Sequence, residues 1–358
     1  MISKGELLKG MIESDMYEVH MVPGSPIMFR NSVGELEPMM GDTPISTNDT
    51  KAFIGDILNG DQKVEFAQNK ELDFVISASG VSRYRFSISM QRGSISAIIR
   101  TYPKKIADFE KLNLHKSVKD IAENIRKGLV LVTGPKGSGK ATTLATILDY
   151  MISKRPVKIL SLENPIKYLI ANNKGIIAQR EMGIDVKDRG LFFQNLINQS
   201  ADILVIDELT NMDEALKILL LAGGGTIVFL KMISPSITNA MELILNLFPS
   251  HLQDSARSMI ATALEAGMSQ ILCKDVTGKR LLPAMEIYKA TNNMRQNIKE
   301  NKLDLVYQVM GAAGRQEGMT NQEASLRQLE KQNLITKDEA MARSSRPDAM
   351  KKLFAQAF

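Results

Sequence analysis

Residues 134–143 read GPKGSGKATT, which fits the pattern G-x-x-x-x-G-K-[ST] at every place but the last. No other stretch restricts the fold as much. A glycine-rich turn ending in lysine wraps phosphate oxygens only when an apolar strand leads into it and a helix leaves it. Both flanks are present: GLVLVTG at 128–134 reads as a buried strand, and a helical pattern covers about 139–152. The pattern assigns nucleotide binding, with ATP and Mg²⁺ as the expected ligands, to Gly134, Pro135, Lys136, Gly137, Ser138, Gly139, Lys140, Ala141 and Thr142. The glycines allow unusual φ angles and a close approach of backbone to phosphate. Lys140 offers a point charge to the β and γ phosphates. The residue after the lysine should carry the hydroxyl that holds Mg²⁺, and here it is Ala141. Thr142 is no substitute, because adjacent helical side chains diverge by about 100°. A water could complete the ion's shell. Losing one positioned group costs about 10²–10³ in rate, whereas the backbone cradle and lysine still bind.

A second motif lies about 70 residues on. ILVIDE ends an apolar strand in Asp207 and Glu208, at the strand tip where open α/β sheets bind ligands. Asp207 and Glu208 are the candidates to hold Mg²⁺ indirectly, and Glu208 also to orient an attacking water. Between and after the motifs, strands at 157–163, 202–208 and 226–230 alternate with helical patterns near 188–200 and 212–222. That rhythm predicts an α/β domain with a mainly parallel sheet and helices on both faces, and the two motifs on it are those of a P-loop NTPase.

Residues 1–103 read differently. A helical pattern at 4–14 is followed by turns at 23–26 and 41–44 and by strand-like runs at 72–77, 83–90 and 95–100. The alternation in RYRFSIS predicts a half-exposed antiparallel strand, so this part reads as a small α+β domain. Pro103 and the adjoining lysines break the pattern. The expected organisation is 1–103, 104–290 for the nucleotide domain, and 291–358 for a polar helical appendage with stops at Gly311 and Gly314.

Composition removes several alternatives. With 358 residues the chain exceeds one typical core. No run of about 18 uncharged apolar residues occurs, so no membrane span is expected. The N-terminus has acids and no long apolar run, unlike a secretory signal. The lone Cys273 excludes a disulfide framework and a tetracysteine zinc module. His20, His115 and His251 have no ligand spacing. The 21 methionines read as soft core filler. A formal charge of +5 with mixed signs permits nucleic acid but does not call for it, and aromatics at 5% offer few stacking platforms. A nucleic-acid motor therefore ranks last, and no nucleic-acid partner is expected.

Further stretches resemble one family. SDM with PGSP (14–16, 23–26), RYRFSISMQRG (83–93), SLENPIKY (161–168), QRE (179–181), RSMIATALEAGMSQIL (257–272) and EGMTNQEASLRQLEKQNLITKDEA (317–340) are similar to the type IV pilus retraction ATPases of the PilT/PilU type. The QRG and the extended tail look closer to PilU. The resemblance implies a PAS-like N-terminal domain joined to a RecA-like domain. It further implies a hexameric ring, homomeric or mixed with a paralogous retraction ATPase. Such a ring is cytoplasmic and peripheral at the inner membrane, where it acts on a pilus platform protein. It implies catalytic roles for Glu163 in the acidic box, for Glu208, and for Arg83, Arg85 and Arg92, which would reach a neighbour's nucleotide in trans.

The departures from the family pattern cluster at the chemistry. Besides Ala141, the acidic box has Asn164 for Asp and Lys167 for an acid, and Leu209-Thr210 follows Glu208. The histidine box G-H-L-x-x-x-T-L-H aligns with GTIVFLKMI (225–233), so its histidines are Thr226 and Ile233. Glu163, Glu208, Lys140 and the loop glycines remain. Two readings stay open: a weak or partner-dependent ATPase that aids retraction, and a hydrolysis-deficient ring subunit beside an active paralogue. A related secretion ATPase is a third, although those usually carry a longer N-terminal region.

Overall fold

The computed structural model describes residues 4–355 except 15, 32, 40, 79–81, 103, 104 and 312. The boundary expected at 103–104 and part of the SDM motif lie outside the described residues. The chain forms two compact units, one reaching Lys105 together with Thr277–Leu281, the other Ile106–Val276 and the chain from Leu282.

The first unit contains α1 (Lys4–Glu13), β1 (Glu18–Met21), β2 (Met28–Arg30), β3 (Leu36–Pro38), α2 (Thr47–Ile57), α3 (Gly60–Asn69), β4 (Glu71–Ala78), β5 (Ser82–Gln91) and β6 (Ser94–Tyr102). The strands make one antiparallel sheet in the order β3-β2-β1-β6-β5-β4. Period-2 alternation in β5 sends Tyr84, Phe86 and Ile88 into the core with Leu7, Met11, Phe53 and Ile54 from α1 and α2. Sequence reading singled out neither α2 nor α3. Their starts are nonetheless marked by capping boxes, Ser46 with Asp49 and Asn59 with Gln62.

The second unit adds α4 (Lys116–Asn124), β7 (Gly128–Thr133), α5 (Lys140–Lys154), β8 (Lys158–Glu163), β9 (Ile176–Glu181), α6 (Arg189–Gln194), β10 (Ile203–Asp207), α7 (Met212–Gly223), β11 (Ile227–Lys231), α8 (Ile237–Leu245), α9 (Gln253–Ala263), β12 (Leu264–Lys274) and β13 (Leu281–Lys289). Its sheet runs β13-β12-β7-β11-β10-β8-β9, and every pair from β12 to β9 is parallel. The strands are apolar without alternation because both faces are covered. Leu129, Leu131, Leu204, Ile206, Val228 and Leu230 face one layer. Val130, Val132, Ile203, Val205, Ile227 and Phe229 face the layer that holds α5.

The helix expected across 188–200 is shorter. After α6 the Asn195 N–H is shared among the carbonyls of Leu191, Phe192 and Phe193, and the chain tightens into a 3₁₀ turn at Ile197–Gln199. The C-terminal stretch forms α10 (Asn292–Lys299), α11 (Leu303–Gly311), α12 (Gln322–Lys331), α13 (Lys337–Arg343) and α14 (Pro347–Ala355) and groups with the second unit. Met294, Ile298, Val306 and Met310 join its larger core. Leu326, Ile335, Met350 and Phe354 pack on Ile271, Cys273 and Leu282 of the sheet edge. Burial there pushes the Cys273 thiol up to about 12, so it stays protonated and unreactive. Among the described residues no helix is long and apolar enough to cross a membrane.

Candidate nucleotide site

The phosphate loop joins β7 to α5 at the C-terminal edge of the sheet. Gly134, Gly137 and Gly139 hold φ of 141°, 82° and 85°. A Cβ on Gly134 would stand 2.2 Å from the Gln270 carbonyl oxygen, so only glycine fits there. Nothing lies within 4 Å of a Cβ on Gly137, leaving the mouth of the loop open to a ligand. Gly139 begins α5 without a side-chain cap, so the first amides of the helix are available to an anion. These features fit a nucleotide's phosphates.

Lys140 folds over the loop and donates through Nζ to the carbonyls of Gly134 and Pro135, each at 2.7 Å. Burial, together with the ammonium groups of Lys231 and Lys167 and against the raising pull of Glu208 and Asp207, lowers its pKa to about 8. Thr142 turns away from the position after the lysine, and its hydroxyl lies 2.8 Å from Tyr168 Oη. Thr143 donates to Gln270 Oε1 at 2.7 Å, which ties α5 to β12.

Opposite the loop, β8 and β10 deliver the carboxylates. Glu163 Oε1 accepts from Ser161 Oγ at 2.8 Å and Gln179 Nε2 at 3.0 Å. Burial raises its pKa, and the nearby Asp207 charge raises it further, against the lowering pull of Gln179 and Ser161. Glu208 is exposed and held at a φ of +60° in the turn after β10, a strained backbone for a non-glycine residue. Its N–H donates to the Lys231 carbonyl at 2.8 Å, and Arg189 donates to its carbonyl at 2.6 Å. Arg189 is itself fixed by Glu214 at 2.7 Å.

Asp207 is committed elsewhere. Its Oδ2 lies 2.6 Å from Lys231 Nζ, an ion pair with side chains only 8% and 14% exposed, and also accepts the Asn164 N–H at 3.2 Å. Its Oδ1 is buried with no hydrogen-bond partner. Mg²⁺ demands octahedral oxygen ligation and a carboxylate with charge to spare. Here a methyl group stands at Ala141, and the carboxylate is neutralised by an ammonium. The residues present do not fit Mg²⁺.

The arginines belong to the first unit. Arg83 and Arg85 share the half-exposed face of β5, and Arg85 donates to Asp73 Oδ2 at 2.9 Å. Arg92 is not on that strand. It sits exposed in the β5–β6 turn at a φ of +48°. At ~3.3 Å per residue the strand separates Arg85 from Arg92 by about 20 Å, so the two cannot serve one phosphate.

Sequence reading missed Lys231, Gln270, Gln179 and Tyr168 as site residues. Lys231 had a readable signal: a charge closing the apolar run TIVFL at a strand tip.

The sequence model of the family described as "Type II/IV secretion system protein" matches residues 67–353. The chain belongs to this family. It is 29% identical over 343 residues to the type IV pilus retractation ATPase PilT of Pseudomonas aeruginosa, covering 96% of this chain and 98% of that protein. It is 27% identical over 337 residues to the type IV pilus ATPase PilU of the same organism, covering 94% and 87%. The two identities are nearly equal. The crystal structure of the pilus retraction motor PilT with bound ADP superposes with a TM-score of 0.85 at 28% identity, covering 98% of this chain and all of that one. The expected RecA-like fold and the family resemblance are thereby established.

Proposed function

We propose that this chain is an accessory, nucleotide-holding subunit of a type IV pilus retraction machine with little ATP hydrolysis of its own. The observation that carries this reading is a contrast within one site. The phosphate loop is fully built, while Asp207 is already paired with Lys231 beside the methyl of Ala141. The names of the full-length relatives and the ADP in the solved motor support an adenine nucleotide and a pilus setting. The loop amides of 134–139 and Lys140 hold the phosphates. As the resemblance implies, we place the chain in a six-membered ring, homomeric or mixed with an active paralogue. The ring is cytoplasmic and works against an inner-membrane platform protein, with Arg83, Arg85 or Arg92 reaching a neighbour's nucleotide.

The test is phosphate release with Mg²⁺ and ATP, run beside Ala141→Ser. The native chain should bind ATP yet release phosphate at least about 10²-fold more slowly than an intact retraction ATPase, and serine alone should not revive it. Brisk release by the native chain overturns the reading. A second reading, hydrolysis only within a mixed ring, is favoured by Glu163, which is retained and held by Gln179 and Ser161. Phosphate release that appears on mixing with the paralogue and vanishes in Glu163→Gln would select it.

A further inference from the structure

We propose that Lys231 stands in for the divalent metal, so that this site holds a polyphosphate on the ammonium groups of Lys140 and Lys231 without Mg²⁺. The proposal deepens the nucleotide-holding reading and rests on it.

The placement follows from the sheet. β11 runs between β7 and β10, in register Lys231 with Val132 on one side and with Asp207 on the other. Its last residue therefore emerges between the phosphate loop, two residues beyond Val132, and the carboxylate strand. Lys231 and Ala141 line one cavity of about 10 Å³ together with Glu163 and Lys167. That is room for about one water, behind walls that are otherwise mainly apolar (Leu144, Ala145, Leu148, Ile170 and Val205). The space lost with the hydroxyl of residue 141 is thus bordered by an ammonium.

Charge tells the same story. In the motif that the chain resembles, position 231 is Thr, position 167 an acid and position 164 Asp. Here they are Lys231, Lys167 and Asn164. Each change moves the site toward positive charge. A metal-loaded site needs surplus carboxylate to hold the cation, and the buried Asp207 is spent on Lys231 at 2.6 Å. Beside Lys140, which the ordinary loop also carries, Lys231 and Lys167 supply two positive charges, the number a divalent ion would bring. An ammonium carries three N–H donors, and the pair with Asp207 uses one direction while fixing the side chain in place. Nothing must be recruited from solvent, so the bound state should be indifferent to free Mg²⁺.

The experiment is titration of the full chain with a fluorescent ATP or ADP analogue, in EDTA and in excess Mg²⁺. Affinity in EDTA should lie within about threefold of that in Mg²⁺. Affinity at least about tenfold weaker in EDTA overturns the proposal and leaves the nucleotide-holding reading standing. No binding in either condition overturns both. The decisive variant is Lys231→Met with Asp207→Asn, which removes both charges and avoids stranding a buried carboxylate. With its fold verified by circular dichroism, it should lose about tenfold or more of the EDTA affinity. Unchanged affinity in EDTA would remove Lys231 from the role. Ala141→Ser with Lys231→Thr should convert the site to one whose binding strengthens with added Mg²⁺, and continued indifference to Mg²⁺ in that variant would also count against the proposal.

Discussion

The two halves of the nucleotide site were built by different means. The phosphate half is contiguous: residues 134–143 carry their own instructions, with glycines at positive φ and a lysine that folds over its own loop. The metal half is assembled from the tips of β8, β10 and β11, and there Asp207, Glu163 and Lys231 meet only through the sheet. The phosphate-holding residues 134–140 match the family pattern, whereas the metal half keeps Glu163 and Glu208 but departs at Asn164, Lys167 and Lys231. A local device survives as a unit because its geometry is backbone. A device made of side chains from separate strands is rebuilt by single substitutions at any one tip.

This contrast can be broken most severely at Lys231. Lys231→Ala strands the buried Asp207 charge and should cost about 3–5 kcal/mol of folding stability. Chemical denaturation measures it, and adding Asp207→Asn should recover most of the loss. A native-like midpoint in the single variant would mean that the pair is not the buried anchor described above. Lys140→Ala should do the reverse. Its Nζ touches the loop carbonyls and sits 3.5 Å from Ser138 Oγ, so stability should hold while nucleotide affinity drops by about 1.5–3 kcal/mol.

The same lysine gives a pH signature. It is charged below about 8 and neutral above, and only the charged form attracts phosphate. Nucleotide affinity should therefore weaken as pH rises through about 8. A bound anion favours the ammonium, so binding near pH 8 should take up a proton. Calorimetry in buffers of different ionisation enthalpy reads that uptake, and Lys140→Ala should abolish it. The smallest effect is expected at Thr142→Val, which loses the Tyr168 hydrogen bond and should cost about 0.5–1.5 kcal/mol in stability with little change in nucleotide affinity. A large loss of affinity there would show that Thr142 turns back toward the phosphates when nucleotide binds, which would sharpen the boundary between the halves.

Much of the second unit was legible in sequence. GLVLVTG, DILVIDE and TIVFL are short apolar runs between helical patterns, and a strand buried on both faces needs that composition. The loop glycines were legible for the same local reason. The first unit was less so, because β1, β2 and β3 span three or four residues each and too little periodicity fits in them. The position of Arg92 in the turn, apart from Arg83 and Arg85 on β5, was not legible, because the φ of +48° that turns the chain is a property of the hairpin rather than of the arginine.

By itself, then, the sequence determined the parallel sheet, the phosphate loop and the missing hydroxyl at Ala141, since each is written in neighbouring residues. What Ala141 sits beside was decided only in the tertiary structure. Residues 141, 163, 207 and 231 come from four separate elements, and only the parallel register of β8, β10 and β11 against β7 brings a lysine from one strand tip onto the carboxylate of the next. Burial then makes that ion pair strong enough to hold Asp207 and to leave the site's charge to its lysines.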